Sequence, residues 1–239
     1  MSILELRNVA KSYGEGESAV CALADVDLAV DEGQFVAVMG PSGSGKSTLL
    51  TIAGSLEDPT TGDVFIGGSP LGQMSRNEKA RLRRRTIGYV FQDFNLLPGL
   101  TALENVALPL ELDGLASRRA HAAGMAALEG LGLADRAAHY PDQLSGGERQ
   151  RVSIARAVVG ERRILLADEP SGALDSANGE SVMQLIAEAC HRGVAAVVVT
   201  HDAHLASWAD RMVLLRDGRM VDQAGASPRD ALVAPSPRP

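Results

Sequence analysis

The stretch Gly40-Pro41-Ser42-Gly43-Ser44-Gly45-Lys46-Ser47-Thr48 leaves this chain few folds to choose from. It follows a short apolar run at residues 34–39 and leads into a helical pattern that starts near Lys46 and ends around Gly54. The glycines let the backbone wrap the β- and γ-phosphates of a nucleotide. Lys46 offers those oxygens a charge, and the Ser47 hydroxyl can ligate Mg2+. A flexible Gly/Ser linker would show neither the Gly-Lys-Ser spacing nor the flanking strand and helix.

The rest of the chain supplies the frame around that loop. Residues 164–168 and 195–200 are short, fully apolar strands of the kind buried on both faces. Residues 177–192 read as a helix between them, and strand–helix–strand alternation indicates a parallel α/β sheet. Residues 87–91 read as another strand. Residues 3–11 and 21–30 alternate apolar and polar residues and look antiparallel. Residues 101–130 read as helical with breaks near Pro109 and Gly114. Residues 146–159 form a further helix, with Val152, Ile154, Ala155, Val158 and Val159 mainly on one side. The expected fold is α/β: a phosphate-loop NTPase core with an N-terminal antiparallel β subdomain and an inserted α-helical subdomain at about 93–150. One domain spans 1–224. The tail at 225–239, with Ser227-Pro228 and Pro235-Ser236-Pro237, reads as disordered.

Composition narrows the function. The net charge is −7, which argues against a nucleic-acid partner. Aromatic residues make up only 3%, so the core must be built from Leu, Val, Ile and Ala. Lysine occurs only at positions 11, 46 and 79, which makes Lys46 stand out. Cys21 and Cys190 fit no metal-ligand spacing and read as buried thiols in a reducing compartment. No apolar run approaches the roughly 18 residues of a membrane span. The N-terminus alternates and carries charge, unlike a signal peptide. A cytoplasmic chain is expected, reaching a membrane only through a partner. The basic run Arg81-Leu82-Arg83-Arg84-Arg85 reads as a solvated helix face pairing with nearby acids.

Two further stretches carry chemistry. Ile164-Leu165-Leu166-Ala167-Asp168-Glu169-Pro170 is an apolar strand ending in two carboxylates. Asp168 at the strand tip suits Mg2+, and Glu169 suits a general base for an attacking water. Leu144-Ser145-Gly146-Gly147-Glu148-Arg149-Gln150 opens a long helix. Free N–H groups and the helix dipole make such an end an anion site. Two phosphate-binding elements for one nucleotide suggest a site assembled from two copies of the chain.

With these motifs in order, residues 1 to about 224 resemble an ATP-binding-cassette (ABC) ATPase. The 144–150 stretch matches that family's signature. The resemblance implies that Gln92, in Tyr89-Val90-Phe91-Gln92, contacts Mg2+ and the attacking water. It implies that Asp175 crosses a dimer interface, that His201 contacts the γ-phosphate, and that Tyr13 stacks on adenine. Glu148 and Ser171 depart from the commoner Gln and Thr, both conservatively. The implied mechanism has ATP lying on the 40–48 loop of one copy, capped by Ser145, Gly146 and Gly147 of the other. Binding closes the dimer, and hydrolysis by a Glu169-activated water opens it.

Residues 89–98, followed by Leu100-Thr101-Ala102-Leu103-Glu104-Asn105-Val106, resemble the branch of macrolide-export, lipoprotein-release and peptide-resistance ATPases. That branch works with an integral-membrane permease, so the resemblance implies ATP and Mg2+ as cofactors, a second copy as partner and a place on the cytoplasmic face of the membrane. Phe94, Leu96 and Leu97 are candidate permease contacts or subdomain core. Two readings remain: a transporter or envelope-coupled ATPase, and a soluble ATPase acting on ribosomes or DNA. The single cassette without sustained heptads favours the first.

Overall fold

The structure is a computed structural model that describes residues 2–14, 16, 19–170 and 176–225. The chain opens with the long strands β1 (Ser2–Tyr13) and β2 (Val20–Asp31). Next come β3 (Phe35–Met39) and helix α1 (Lys46–Ala53), then β4 (Thr61–Ile66), β5 (Ser69–Pro70) and α2 (Arg76–Thr86). The middle of the chain holds β6 (Ile87–Val90), α3 (Ala102–Leu112), α4 (Ser117–Glu129) and α5 (Gly146–Val158). The remainder is β7 (Ile164–Asp168), α6 (Ser176–His191), β8 (Ala195–Val199), α7 (Ala203–Ala206), β9 (Arg211–Arg216) and β10 (Arg219–Gly225).

Two sheets result. The larger has six strands in the order β10-β9-β3-β8-β7-β6. Its pairs β3/β8, β3/β9, β7/β8 and β6/β7 are parallel, and β10 is antiparallel to β9. Pleating sends alternate residues to opposite faces. Val36 and Val38 enter a core shared with α1, β1 and β2, while Phe35 and Ala37 enter a second core with α6. Both faces are covered, so these strands need no polar side, as their apolar runs imply. The expected α/β class is the fold observed.

The smaller sheet runs β2-β1-β4-β5 and is antiparallel. The alternating pattern of β1 and β2 is realised, with Leu4, Leu6, Val26, Leu28 and Val30 buried. The sheet also recruits residues 61–70, which periodicity does not mark. β4 begins Thr61-Gly62-Asp63 and buries only Val64 and Ile66, too few to show a period. Leu4 faces Ile66 and Leu6 faces Val64 across the ladder.

Helices α3, α4 and α5 enclose a third core around Val106, Leu128, Leu144, Val152 and Ala155. Pro109 lies inside α3 rather than breaking it. In the helix's last turn its missing N–H forfeits a single bond, and Asp113 closes the end by donating to Pro109 and Leu110. α5 also presses on β6. A Cβ on Gly88 would stand 1.9 Å from the Ala157 carbonyl oxygen, so only glycine admits the helix there. Asp175, Ser171 and the tail from 226 to 239 lie outside the described residues.

Candidate active site

Open parallel sheets place their ligands at the carboxyl ends of the strands. Here the strand order β3-β8-β7-β6 sets out the sequence candidates in a row. The 40–48 loop follows β3, His201 follows β8, Asp168 and Glu169 end β7, and Gln92 follows β6. Strands lie about 4.8 Å apart, so β3 and β6 are separated by roughly 14 Å. Gln92 is exposed at the far end of that row.

The loop is fastened from below. Gly45 caps α1 with φ 101, and a Cβ there would meet the Ala22 carbonyl oxygen at 2.3 Å. Lys46 donates to the carbonyls of Gly40 and Pro41, both at 2.9 Å, which folds its ammonium across the loop. The Ser44 hydroxyl is buried and has no hydrogen-bond partner among the described residues. Buried hydroxyls are normally satisfied, and an anion oxygen in the loop would satisfy this one. Pro41, Ser42 and Gly43 line its exposed rim. Thr48 sits inside α1, its side chain on the hydroxyl of Tyr13.

The carboxylates divide by environment. Burial raises the Asp168 pKa, and a hydrogen bond with Ser47 and the charge of Lys46 oppose that rise. Glu169 takes the left-handed conformation at φ 44, rare for a residue with a side chain. Its N–H donates to the Val199 carbonyl at 2.9 Å, which ties the strained residue to the end of β8. Its carboxylate lies 2.8 Å from His201 Nδ1. Glu169 is 15% exposed and His201 73%, so a rigid acid is held by a ring open to solvent. Thr200 anchors the turn by donating its N–H to Val38 of β3 and accepting the Asp202 N–H on its hydroxyl.

Tyr13, at the end of β1, is 40% exposed. Its hydroxyl donates to Glu57 at 2.8 Å, and the Lys11 ammonium lies 5.1 Å from the ring centroid. Glu57 and Lys11 thus hold the ring at the end of β1. Partial burial and the Glu57 hydrogen bond raise its pKa.

The signature stretch stands apart. Ser145 caps α5, accepting the Glu148 N–H at 3.2 Å, and Glu148 accepts the Ser145 N–H at 2.8 Å. This reciprocal box uses the Glu148 that departs from the usual Gln. Arg136 completes it by donating to the second Glu148 oxygen at 2.8 Å. Ser145 and Arg136 together hold the carboxyl down at about 2. No hydrogen bond among the described residues joins residues 145–147 to the 40–48 loop. Arg136 is the residue that sequence reasoning missed: twelve positions separate it from Glu148, and no motif spans that gap.

Among the described residues, no three His, Cys, Asp or Glu side chains gather as a metal cage. Mg2+ does not require one, because it keeps waters and takes one or two protein oxygens beside substrate phosphates. The Ser47 hydroxyl bonded to Asp168 is such a donor set.

The ABC transporter family model matches residues 23–172. The chain is 46% identical over 224 residues to the macrolide export ATP-binding/permease protein MacB of Marinobacter nauticus, covering 94% of this chain and 35% of that protein. It therefore spans about a third of that relative's length. An uncharacterized ABC transporter ATP-binding protein of Methanocaldococcus jannaschii is 46% identical over 220 residues, 92% of this chain and 98% of that one. Among solved structures, the ATP-binding cassette MJ0796, a dimer in a post-hydrolysis state bound to ADP and Pi, superposes with a TM-score of 0.86 at 44% identity. That match covers 93% of this chain and 98% of the other. The chain belongs to the ABC transporter family, as one of its ATP-hydrolysing cassettes.

Proposed function

We propose that the chain is the ATP-hydrolysing subunit of an exporter, driving an integral-membrane permease through nucleotide-dependent pairing of two cassettes. One observation carries the reading. The phosphate loop, Asp168, Glu169 and His201 share one sheet edge, whereas residues 145–147 open helix α5 and, among the described residues, make no hydrogen bond to them. A second copy, related by a two-fold axis, lends its Ser145, Gly146 and Gly147 to the first and receives the same in return. The dimeric state of the MJ0796 cassette supports that arrangement.

Each residue then has a task. The amides of residues 40–48 and the Lys46 ammonium hold the β- and γ-phosphates, with Lys46 exchanging its two carbonyl bonds for phosphate oxygens. Tyr13 supports the adenine. Ser47, Asp168 and Gln92 are the residues that would hold Mg2+, which when bound spreads the phosphate charge. Glu169 takes the proton of the attacking water on its carboxylate. His201 orients that carboxylate and reaches the γ-phosphate. The resting strain at Glu169 fixes the base before substrate arrives.

Docking of the permease falls beside Gln92. Leu97 is 45% exposed, while Phe94 and Leu96 are half-buried and Leu96 packs on the helical core. The contact is therefore narrower than three free apolar side chains. Next to it lies a cleft of about 290 Å3 with Tyr89, Phe91 and Pro109 in its walls. Arg83, Arg84, Arg156 and Arg162 line it; its walls hold no carboxylate, though Asp113 stands 3.9 Å from Arg84. On a chain of net charge −7, such a cleft suits an acidic, amphipathic cytoplasmic segment. The names of the macrolide and pyoverdine export relatives, each an ATP-binding/permease protein, support the partner. No helix among the described residues is long and apolar enough to cross a membrane.

Glu169→Gln tests the assignment. It should keep ATP binding and lower turnover by about 10²–10⁴-fold, as loss of a general base does. Single-turnover hydrolysis near the wild-type rate would remove Glu169 from the role.

A further inference from the structure

The turn directly after Gln92 is strained. Phe94 and Asn95 both occupy the left-handed region, at φ 60 and φ 48. Non-glycine residues seldom do so, and a bulky side chain less than most. The Asn95 N–H closes the turn on the Asp93 carbonyl at 2.6 Å. Two such residues in a row persist only when their surroundings hold them. The holding group comes from α5. One nitrogen of the Arg156 guanidinium donates to the Asn95 carbonyl at 2.5 Å, and another donates to the Phe94 carbonyl at 2.8 Å. Arg149, two turns earlier on the same helix, lies over the Phe94 ring at 5.5 Å and donates to the Leu144 carbonyl at 3.0 Å. Leu144 directly precedes the Ser145 cap.

Arg156 is largely withdrawn from water and makes no ion pair among the described residues. Its cation is spent on two main-chain carbonyls of a strained turn, which plain packing would not require. We infer that Arg156 is a positioning residue: it latches the turn after Gln92 onto the helix that carries Ser145, Gly146 and Gly147, so that Gln92 and the signature end move as one unit. The inference rests on the reading of Gln92 as a contact of the attacking water. Here two different nitrogens of one planar guanidinium reach the two carbonyls, a spacing that the single nitrogen of a lysine ammonium does not reproduce.

The test uses the purified full chain and steady-state ATP hydrolysis. Arg156→Lys breaks the latch from the helix side. Asn95→Val breaks it from the loop side at an exposed position, because a β-branched residue resists the left-handed region. Asn95→Val also keeps the idea testable if Arg156→Lys does not fold. Each should lower kcat about tenfold and leave KM for ATP within about twofold, as small misplacements at a reacting centre do. Neither should lower kcat further in a Gln92→Ala chain, because the latch acts through Gln92. A helix merely losing a packing contact would melt earlier and show no such split. Full kcat in both single variants overturns the latch. So do losses that multiply with that of Gln92→Ala. A Gln92→Ala chain with full kcat overturns the reading of Gln92 and the latch with it, and is told apart because that variant alone is then silent.

Discussion

The sequence offers two candidate phosphate-binding regions, and the structure builds them on opposite terms. The 40–48 loop is set into the sheet: strand β3 leads in, α1 leads out, and Gly45 sits where a Cβ would strike the Ala22 carbonyl. Its chemistry is close at hand, with Ser47 on Asp168, Lys46 across the loop and Glu169 on His201. The signature end of α5 has its cap, Arg136 on Glu148 and Arg149 on the Leu144 carbonyl, with Ser145 exposed. The first region gathers most of the candidate site residues, and the second stands away from them. On the reading proposed above, a single copy holds the nucleotide and hydrolysis waits for a second. The contrast also separates the two kinds of damage a substitution can do.

The largest effect is expected in the buried region. Gly45→Val forces a β-branched residue into φ 101 against a backbone oxygen. It should cost about 2–4 kcal/mol, a fall in melting temperature of roughly 5–10 °C for a chain of this size. An unchanged melting curve would show that the loop is not locked from below. On the signature side, stability should barely move while association suffers. Arg136→Ala leaves the Glu148 carboxylate unneutralised beside the place a γ-phosphate must enter. ATP-driven dimer affinity should fall about tenfold, or about 1.4 kcal/mol, and Glu148→Gln in the same chain should restore it. Failure of that rescue would break the proposed pairing of roles.

The smallest effect concerns pH. Glu148 is held at about 2, below its ordinary 4.5, by Ser145 and Arg136. A depressed carboxyl stabilises the fold above its unfolded value and loses that contribution as pH falls toward the folded one. The stability difference between the wild type and Glu148→Gln should therefore be constant above about pH 4.5 and shrink between there and about 2. Glu78 and Glu104 are depressed by the capping boxes that start α2 and α3, so their variants should follow the same direction. A difference that holds steady down to pH 2 would contradict the capping role.

What could be read in advance follows the same divide. The apolar strands around β3, β7 and β8 and the loop after β3 are written in contiguous residues, and the structure places them as expected. β9 and β10 were not legible, because Arg211, Arg216, Arg219 and Asp222 interrupt any period. β4 was hidden because it buries only Val64 and Ile66. Pro109 misled because a proline normally ends a helix, whereas here it falls in the final turn. The contacts that give the signature region its particular character, Arg136 on Glu148 and Arg156 on the turn after Gln92, join residues 12 and 61 positions apart. Pairs of that kind leave no trace in local pattern. The conservative-looking Glu148 acquires its meaning only beside Arg136.

That the two unlike regions complete each other across two copies can be checked by size. In the slowly hydrolysing Glu169→Gln chain, ATP should convert monomer to dimer in solution. Adding Ser145→Arg, which fills the helix end with a bulky cation, should leave the chain monomeric with ATP while nucleotide affinity of the monomer stays within about twofold. A dimer that still forms with Arg at position 145 would contradict the shared site.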